Sequence, residues 1–341
     1  MRPVPMIASV PSTAASWSPS VAPRACGGRD PQRRADARSC GRSPVPSVLL
    51  GTPRLDCVHG TRHRPPGHAM HPPQVTANPL GVRWRDGRTA FGLWGSLGGA
   101  FVAELAADQG FAFHCIDRQH GMIDDSDVVP MLAALEGHGV AAVVRVPWNQ
   151  PWSIMHTLDA GAHGVIIPMV GSAQEAAAAV AACRYPPDGL RSYGPTRAAI
   201  TRGSAEPDDL ADVACIAMIE TAAGLRNVEE IVTTTGIDAI YVGPADLALS
   251  LGVAPQRAHE DPRHEQAIAH ILDACRHHEV TPGIHCLDGA TARMRAEQGF
   301  RMVSVGSDVD ALRRGLRSEL SIARASGASD TFGASTAPNE S

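Results

Sequence analysis

The chain has 341 residues and 44% hydrophobic composition, enough to bury the core of one barrel-sized domain, and no apolar run approaches the ~18 residues a membrane span requires. The formal net charge of −5 is unevenly spread: residues 1–75 carry ten Arg and three Asp, the remainder 20 Arg against 32 Asp and Glu. No lysine occurs, all 30 basic residues being Arg; a guanidinium stays protonated, so carbonyl chemistry through a lysine imine is excluded.

Residues 1–80 are rich in Pro, Arg, Ser and Gly and hold no helical or strand period, which predicts a disordered, low-complexity extension. Its Arg- and Ser-rich, acid-poor composition loosely resembles an organelle transit peptide, but a translation start at Met70 is the preferred expectation. It lacks interleaved aromatics or a binding motif, so neither nucleic acid nor a membrane is expected as a partner. From residue 81 to 325, short apolar or β-branched runs alternate with longer helical stretches. The strand candidates are Thr89–Gly95, Phe111–Ile116, Ala141–Val146, Gly164–Pro168, Cys215–Glu220, Ala239–Val242, Thr281–His285 and Met302–Val305. Ser126 and Asp127 are the expected caps of a helix running to Glu136, Ser172 with Glu175 has the capping-box spacing for a helix to Cys183, and another helix is expected over Gly224–Thr234. Residues 326–341 are small and polar and are expected to be loose.

Eight strands alternating with helices predict a (β/α)8 TIM barrel, preceded by the disordered extension. A doubly wound sheet is disfavoured because no GxGxxG follows any strand. The eight cysteines are scattered without a CxxC pair, as in a reduced, cytoplasmic protein.

In such barrels chemistry lies at the C-terminal ends of the strands. Charged or titratable residues stand there on four of them: Asp117 and His120 after strand two, Arg145 in strand three, Glu220 after strand five, and Asp246 after strand six. Two carboxylates from adjacent strands, Glu220 and Asp246, repel unless a cation lies between them, and oxygen ligands suit Mg2+, Mn2+ or Co2+; the competing role is an ion pair, for example with Arg145. Arg145 offers a planar fork for a carboxylate or enolate oxygen, or a partner for a nearby acid. His120 is the general-base candidate, with Asp117 three residues earlier to orient it. Trp94 ends strand one as an apolar wall or a core residue, and His285 ends strand seven where it can line a pocket. His114, His163, His277 and His278 rank lower. The amides of Pro244–Asp246 open a short helix, and helix N-termini bind carboxylates.

Seven segments in order resemble the HpcH/HpaI aldolase family over about two-thirds of the chain, Phe91 to Asp308: FGLWGS at 91–96, IDRQHG at 116–121, VVRVP at 143–147, TLDAGAHGVIIPMV at 157–170, RYPPDGLRSYGPTRA at 184–198, MIET at 218–221 and YVGPADLALSLG at 241–252. The resemblance implies a class II aldolase acting on a 2-oxo acid and an aldehyde, with pyruvate chelated to a divalent cation. It implies Glu220 and Asp246 as metal ligands, Arg145 on the keto oxygen, His120 as base beside Asp117, and the Gly243–Asp246 segment, through the amides of Ala245 and Asp246, on the carboxylate. It also implies a homo-oligomer, a hexamer of dimers that swap the last helix. Gln119 stands where many relatives carry Glu, and Met218 where some carry Gln, which leaves the substrate open. A lyase acting on a CoA thioester is the first alternative, with Arg184, Arg191 and Arg197 as its phosphate contacts; a barrel kept only for binding or assembly is the second.

Overall fold

The computed structural model describes residues 77–325. The expected disordered extension up to residue 76, the Met70 start and the loose segment 326–341 lie outside the described residues. Eight strands close into one parallel barrel in sequence order: β1 Ala90–Gly95, β2 Phe113–Asp117, β3 Ala141–Arg145, β4 Gly164–Ile167, β5 Ala214–Ile219, β6 Ala239–Val242, β7 Thr281–Ile284 and β8 Met302–Ser307. All eight expected strands are present, with ends shifted by at most two residues.

The helices are α1 Pro79–Arg85, α2 Ala100–Ala107, α3 Asp125–Glu136, α4 Pro151–Asp159, α5 Ala173–Cys183, α6 Thr196–Arg202, α7 Pro207–Leu210, α8 Ala222–Arg226, α9 Val228–Val232, α10 Pro244–Ser250, α11 Pro262–His277, α12 Gly289–Gln298 and α13 Asp308–Ala325. None of them is long and apolar enough to cross a membrane.

Three local expectations are corrected. The boundary set at residue 80 falls inside α1. Asn78 caps that helix by accepting from the Leu80 amide, and its side-chain amide donates to the carbonyls of His163 and Asp212. Leu80 is buried in the lower barrel core, so α1 closes the N-terminal end of the barrel. The cap of α3 is Asp124, not Ser126 or Asp127: its carboxylate accepts from the Ser126 amide while Asp127, at the third helical position, accepts from the Asp124 amide. The helix expected over Gly224–Thr234 is two short ones that meet at Asn227, whose side chain donates to the Gly171 carbonyl. At Ser172 the expected cap is made.

Strand side chains alternate between the barrel interior and the helix layer. Trp94, Phe113, Cys115, Ala141, Val143, Ile166, Ala214, Ile216, Met218, Ala239, Tyr241 and Met302 form the interior cluster. The opposite parity, for example Ile116, Val144, Val165, Ala217 and Val242, packs against the helices. Space inside is limited: a Cβ on Gly92 would lie 2.4 Å from the Phe113 ring, so Gly92 is what admits that ring to the lower barrel.

Candidate functional site

Continuing the inward parity by one step places Asp117, Arg145, Glu220, Gly243 and His285 in a ring at the C-terminal mouth. Apolar strands thus deliver their polar ends to one place, above a floor made of Trp94, Met218 and Tyr241. A cavity of about 270 Å³ opens there, and Trp94, His120, Arg145, Gly243, Asp246 and His285 are among its lining. That is close to the ~300 Å³ lower bound for small-molecule sites and suits a small acid. A larger cleft of about 580 Å³ lies beside α10 and α11, but its charged side chains pair with one another, Arg257 with Glu260 and Arg263 with Asp261, on an open surface.

Asp117 and Arg145 are register partners across β2 and β3. Arg145 Nε donates to Asp117 Oδ1 at 2.8 Å and Nη2 to Oδ2 at 2.6 Å, a two-pronged pair in which both residues are buried. Trp94 Nε1 donates to Oδ2 at 3.1 Å, and the amides of Gln119 and His120 donate to Oδ1 at 3.0 and 3.2 Å. Burial alone would push the Asp117 carboxyl up; the bonds and charge of Arg145, with the other donors, outweigh it and hold it below the usual range. The guanidinium also lies over the Trp94 ring, 4.9 Å from its centroid. Trp94 is cavity wall and core residue at once, its ring also stacked with Tyr241 at 5.6 Å between centroids.

This changes the role expected of Asp117. Its carboxylate meets the backbone amide of His120, not the imidazole. It fixes the tight turn after β2 and locks Arg145 in place. His120 is exposed at the rim, and its side chain reaches the cavity from that turn. Arg145 keeps its third nitrogen, Nη1, outside the fork with Asp117.

Glu220 is 1% exposed. Its Oε1 accepts from the Met169 amide at 2.8 Å, while Oε2 is buried without a hydrogen-bond partner. Burial pushes the carboxyl above the usual range; the Met169 amide opposes this, and the negative charge of Asp246 adds to it. Met169 is a non-glycine residue at φ 59°, a left-handed conformation that costs on the order of 1–3 kcal/mol and turns its amide to the carboxylate. A Cβ on Gly243 would stand 2.5 Å from Glu220 Oε2, so only glycine leaves that oxygen its place. An orphaned carboxylate oxygen that feels a second acid across the cavity fits a divalent cation. Among the described residues no group of three or more His, Cys, Asp or Glu is placed to hold a metal ion, so a cation here would take two protein carboxylates and complete its shell with water and substrate oxygens.

Gly243 caps α10, and the amides of Ala245 and Asp246 lie in its first turn, where helix geometry supplies no intrahelical acceptor. Pro244 has no N–H and contributes only shape; its carbonyl is met by His264 Nε2 at 2.9 Å. Ser96, Ser307 and Asp310 line the same cavity but did not emerge from the sequence. The Asp308 carboxylate accepts from the amides of Ser96 and Leu97, tying the loop after β1 to the start of α13. Extending the eighth strand candidate to Ser307 would have exposed Ser307 and Asp310 to the same rim test.

His114 and His163 lie inside the fold: the ring of His163 accepts from the Ala142 amide, and burial lowers both to about 4. The three arginines considered for CoA phosphates are committed at the opposite, N-terminal end. Arg184 binds Asp238 and the Val213 carbonyl, Arg191 binds Asp159 and the Leu210 carbonyl, and Arg197 binds Glu136 and the Ala160 carbonyl.

Known proteins resemble this chain over most of the barrel. The profile of the family described as HpcH/HpaI aldolase/citrate lyase matches residues 90–314. A hydroxypyruvate/pyruvate aldolase of Rhizorhabdus wittichii is 39% identical over 249 residues, 73% of this chain and 99% of that protein. A 5-keto-4-deoxy-D-glucarate aldolase of Salmonella paratyphi A is 38% identical over 65% of this chain and 87% of that one. The crystal structure of an HpcH/HpaI aldolase/citrate lyase family protein from Burkholderia cenocepacia superposes with a TM-score of 0.68 at 38% identity, covering 72% of this chain and 99% of that one.

Proposed function

The chain belongs to the HpcH/HpaI aldolase/citrate lyase family, and from that premise we propose a divalent-metal-dependent aldolase that cleaves 4-hydroxy-2-oxo acids to pyruvate and an aldehyde, or joins them. It is an enzyme of the aldolase kind, a carbon–carbon lyase. The observation that carries the metal-dependent reading is the buried, unpartnered Oε2 of Glu220 beside the charge of Asp246.

Glu220 and Asp246 would hold Mg2+, Mn2+ or Co2+. Such a cation, when bound, supplies electrophilic pull on the 2-oxo group and its carboxylate. The free amides of Ala245 and Asp246 seat the substrate carboxylate, as helix N-termini do. Arg145 presents Nη1 to the keto oxygen; Asp117 and Trp94 prevent the guanidinium from swinging away. His120 accepts the proton of the C4 hydroxyl. The O–H electron pair forms the aldehyde carbonyl, the C3–C4 bond breaks, and its electrons pass into the oxo acid, where the charge on the keto oxygen is met by Arg145. A proton returned to C3 completes pyruvate. The paired state of Arg145 is useful here: a preorganised donor loses little on reaction.

The oligomer implied by the resemblance also has support. Helix α13 is amphipathic, yet Leu312, Leu316, Leu320 and Ile322 are all half or more exposed along it, a stripe suited to a second copy of the chain. Among the described residues five cysteines are free and buried, in accord with a reducing, cytoplasmic setting.

The test is a pyruvate-release assay over a panel of 4-hydroxy-2-oxo acids, with and without Mg2+, Mn2+ or Co2+, and with malyl- and citryl-CoA alongside. Release from oxo acids only when a cation is present supports the reading. Release from the CoA thioesters alone, or from no substrate with any cation, overturns it.

A further inference from the structure

His285 has no part in the reaction as described, yet it is built into the cavity with care. It follows β7 immediately and lines the cavity between Trp94 and the β6 rim. Its ring meets Trp94 edge-on, 4.9 Å between centroids at 80°. Its Nδ1 lies 3.1 Å from Ser304 Oγ, and Ser304 is fully buried in β8. That hydroxyl accepts from the Cys286 amide at 2.8 Å. It has one proton to give, and the imidazole nitrogen is nearer than the alternative acceptor, the Cys286 carbonyl at 3.3 Å. Assigning the Ser304 proton to the nearer acceptor, Nδ1, places the ring proton on Nε2. Burial, with the Arg145 charge adding to it against Asp117 and Asp310, lowers the pKa to about 4, so the ring is neutral at ordinary pH. Among the described residues no hydrogen bond is recorded for Nε2. With Nδ1 turned back to β8, Nε2 is the nitrogen left for the cavity.

A held, single-donor imidazole is a poor wall for a methyl group and a good partner for an oxygen. In the proposed pose the β6 rim amides and Arg145 bracket the 2-oxo acid; His285 follows β7, the strand next to β6, and like Arg145 it contacts the Trp94 ring. With the carboxylate on those amides and the keto oxygen on Arg145, as proposed above, C3 is the end of the acid left to face Trp94 and His285. We propose that His285 Nε2 donates to an oxygen carried on C3 of the 2-oxo acid, so that the enzyme selects a hydroxypyruvate-type nucleophile over pyruvate. This rests on the aldolase reading above. It concerns the substituent on the carbon that forms the new bond, and adds no new chemical step. Pyruvate remains a substrate but is the weaker one, because its plain methyl leaves the cavity-facing N–H without a partner.

The experiment compares wild type, His285→Leu and His285→Gln with hydroxypyruvate and with pyruvate against one fixed aldehyde. The readouts are kcat/KM for each acid and, in parallel, acid affinity by quenching of tryptophan fluorescence. The expected result is that His285→Leu lowers the hydroxypyruvate-to-pyruvate ratio roughly tenfold or more, while His285→Gln, which keeps a donor, retains most of it. Ser304→Ala, which frees the ring to turn, should fall between them and serves if His285→Leu fails to fold. An unchanged ratio in His285→Leu, or in Ser304→Ala should the former misfold, overturns the proposal. If wild type turns over neither acid, the aldolase reading fails by itself; the two affinities then decide on His285, with a preference for hydroxypyruvate lost in the variant supporting it and equal affinities refuting it.

Discussion

Replacing Arg145 by Ala separates a catalytic side chain from a structural one, and the geometry says it is both. From the sequence, Arg145→Ala is expected to cut turnover with little loss of fold. The structure requires a cost in stability as well, because the change strands the buried Asp117 carboxylate. Breaking a buried pair by removing one partner costs about 3–5 kcal/mol. Asp117 keeps three donors, the Trp94 indole and the amides of Gln119 and His120. The lower end of that range, about 3 kcal/mol, therefore applies, and for a domain of this size it corresponds to roughly 6–12 °C in Tm. The dependence on pH has a definite sign. In wild type the folded pKa of Asp117 is held down, so its contribution is present above the unfolded value of about 3.9 and is lost as pH falls through the folded one. Without Arg145, burial dominates and the folded pKa rises, so the variant regains stability as pH falls. The gap in Tm between the two proteins should narrow from pH 7 to pH 5. Adding Asp117→Asn to the variant removes the stranded charge and should recover part of the loss, with a coupling of about 1 kcal/mol or more. The assay is thermal unfolding at fixed protein concentration. A Tm for Arg145→Ala within 2 °C of wild type at pH 7 would refute the structural role.

Three further outcomes follow from the site. His120→Ala should lower kcat by about 10²–10⁴-fold while leaving Tm nearly unchanged, since its side chain is exposed and the turn is held through its amide; steady-state kinetics with thermal unfolding checks both halves. Gly243→Ala places a methyl against Glu220 Oε2, so it should weaken divalent-cation binding and turnover together, seen as a raised cation requirement in the pyruvate-release assay. Leu316→Glu in the exposed stripe of α13 should shift the sedimentation coefficient toward a smaller species without unfolding the barrel.

The barrel was legible because short apolar runs alternate with helical stretches, and in β2, β3 and β5 the run is cut off by a charged residue at its C-terminal end. That same break revealed Asp117, Arg145 and Glu220, while Asp246 stands four residues past the end of β6, in the first turn of α10. What a linear reading could not supply was pairing across strands. Asp117 and Arg145 are 28 residues apart and meet only through the β2–β3 register, so Asp117 was matched with His120, its neighbour in sequence. The same limit hid α1, whose cap is anchored to His163 and Asp212. Met169 carries no sequence sign of a left-handed backbone, and the orphaned oxygen of Glu220 is visible only once that amide is in place. Asp310 was missed for a simpler reason: β8 runs two residues past its expected end.

The grip of Glu220 and Asp246 on a cation is tested most directly by titrating Mn2+ into EDTA-treated protein and following the free ion by electron paramagnetic resonance, with pyruvate present. One Mn2+ per chain in wild type, with affinity largely lost in Glu220→Gln and again in Asp246→Asn, is the predicted result. Absence of binding in wild type, or binding undiminished in both variants, would contradict it.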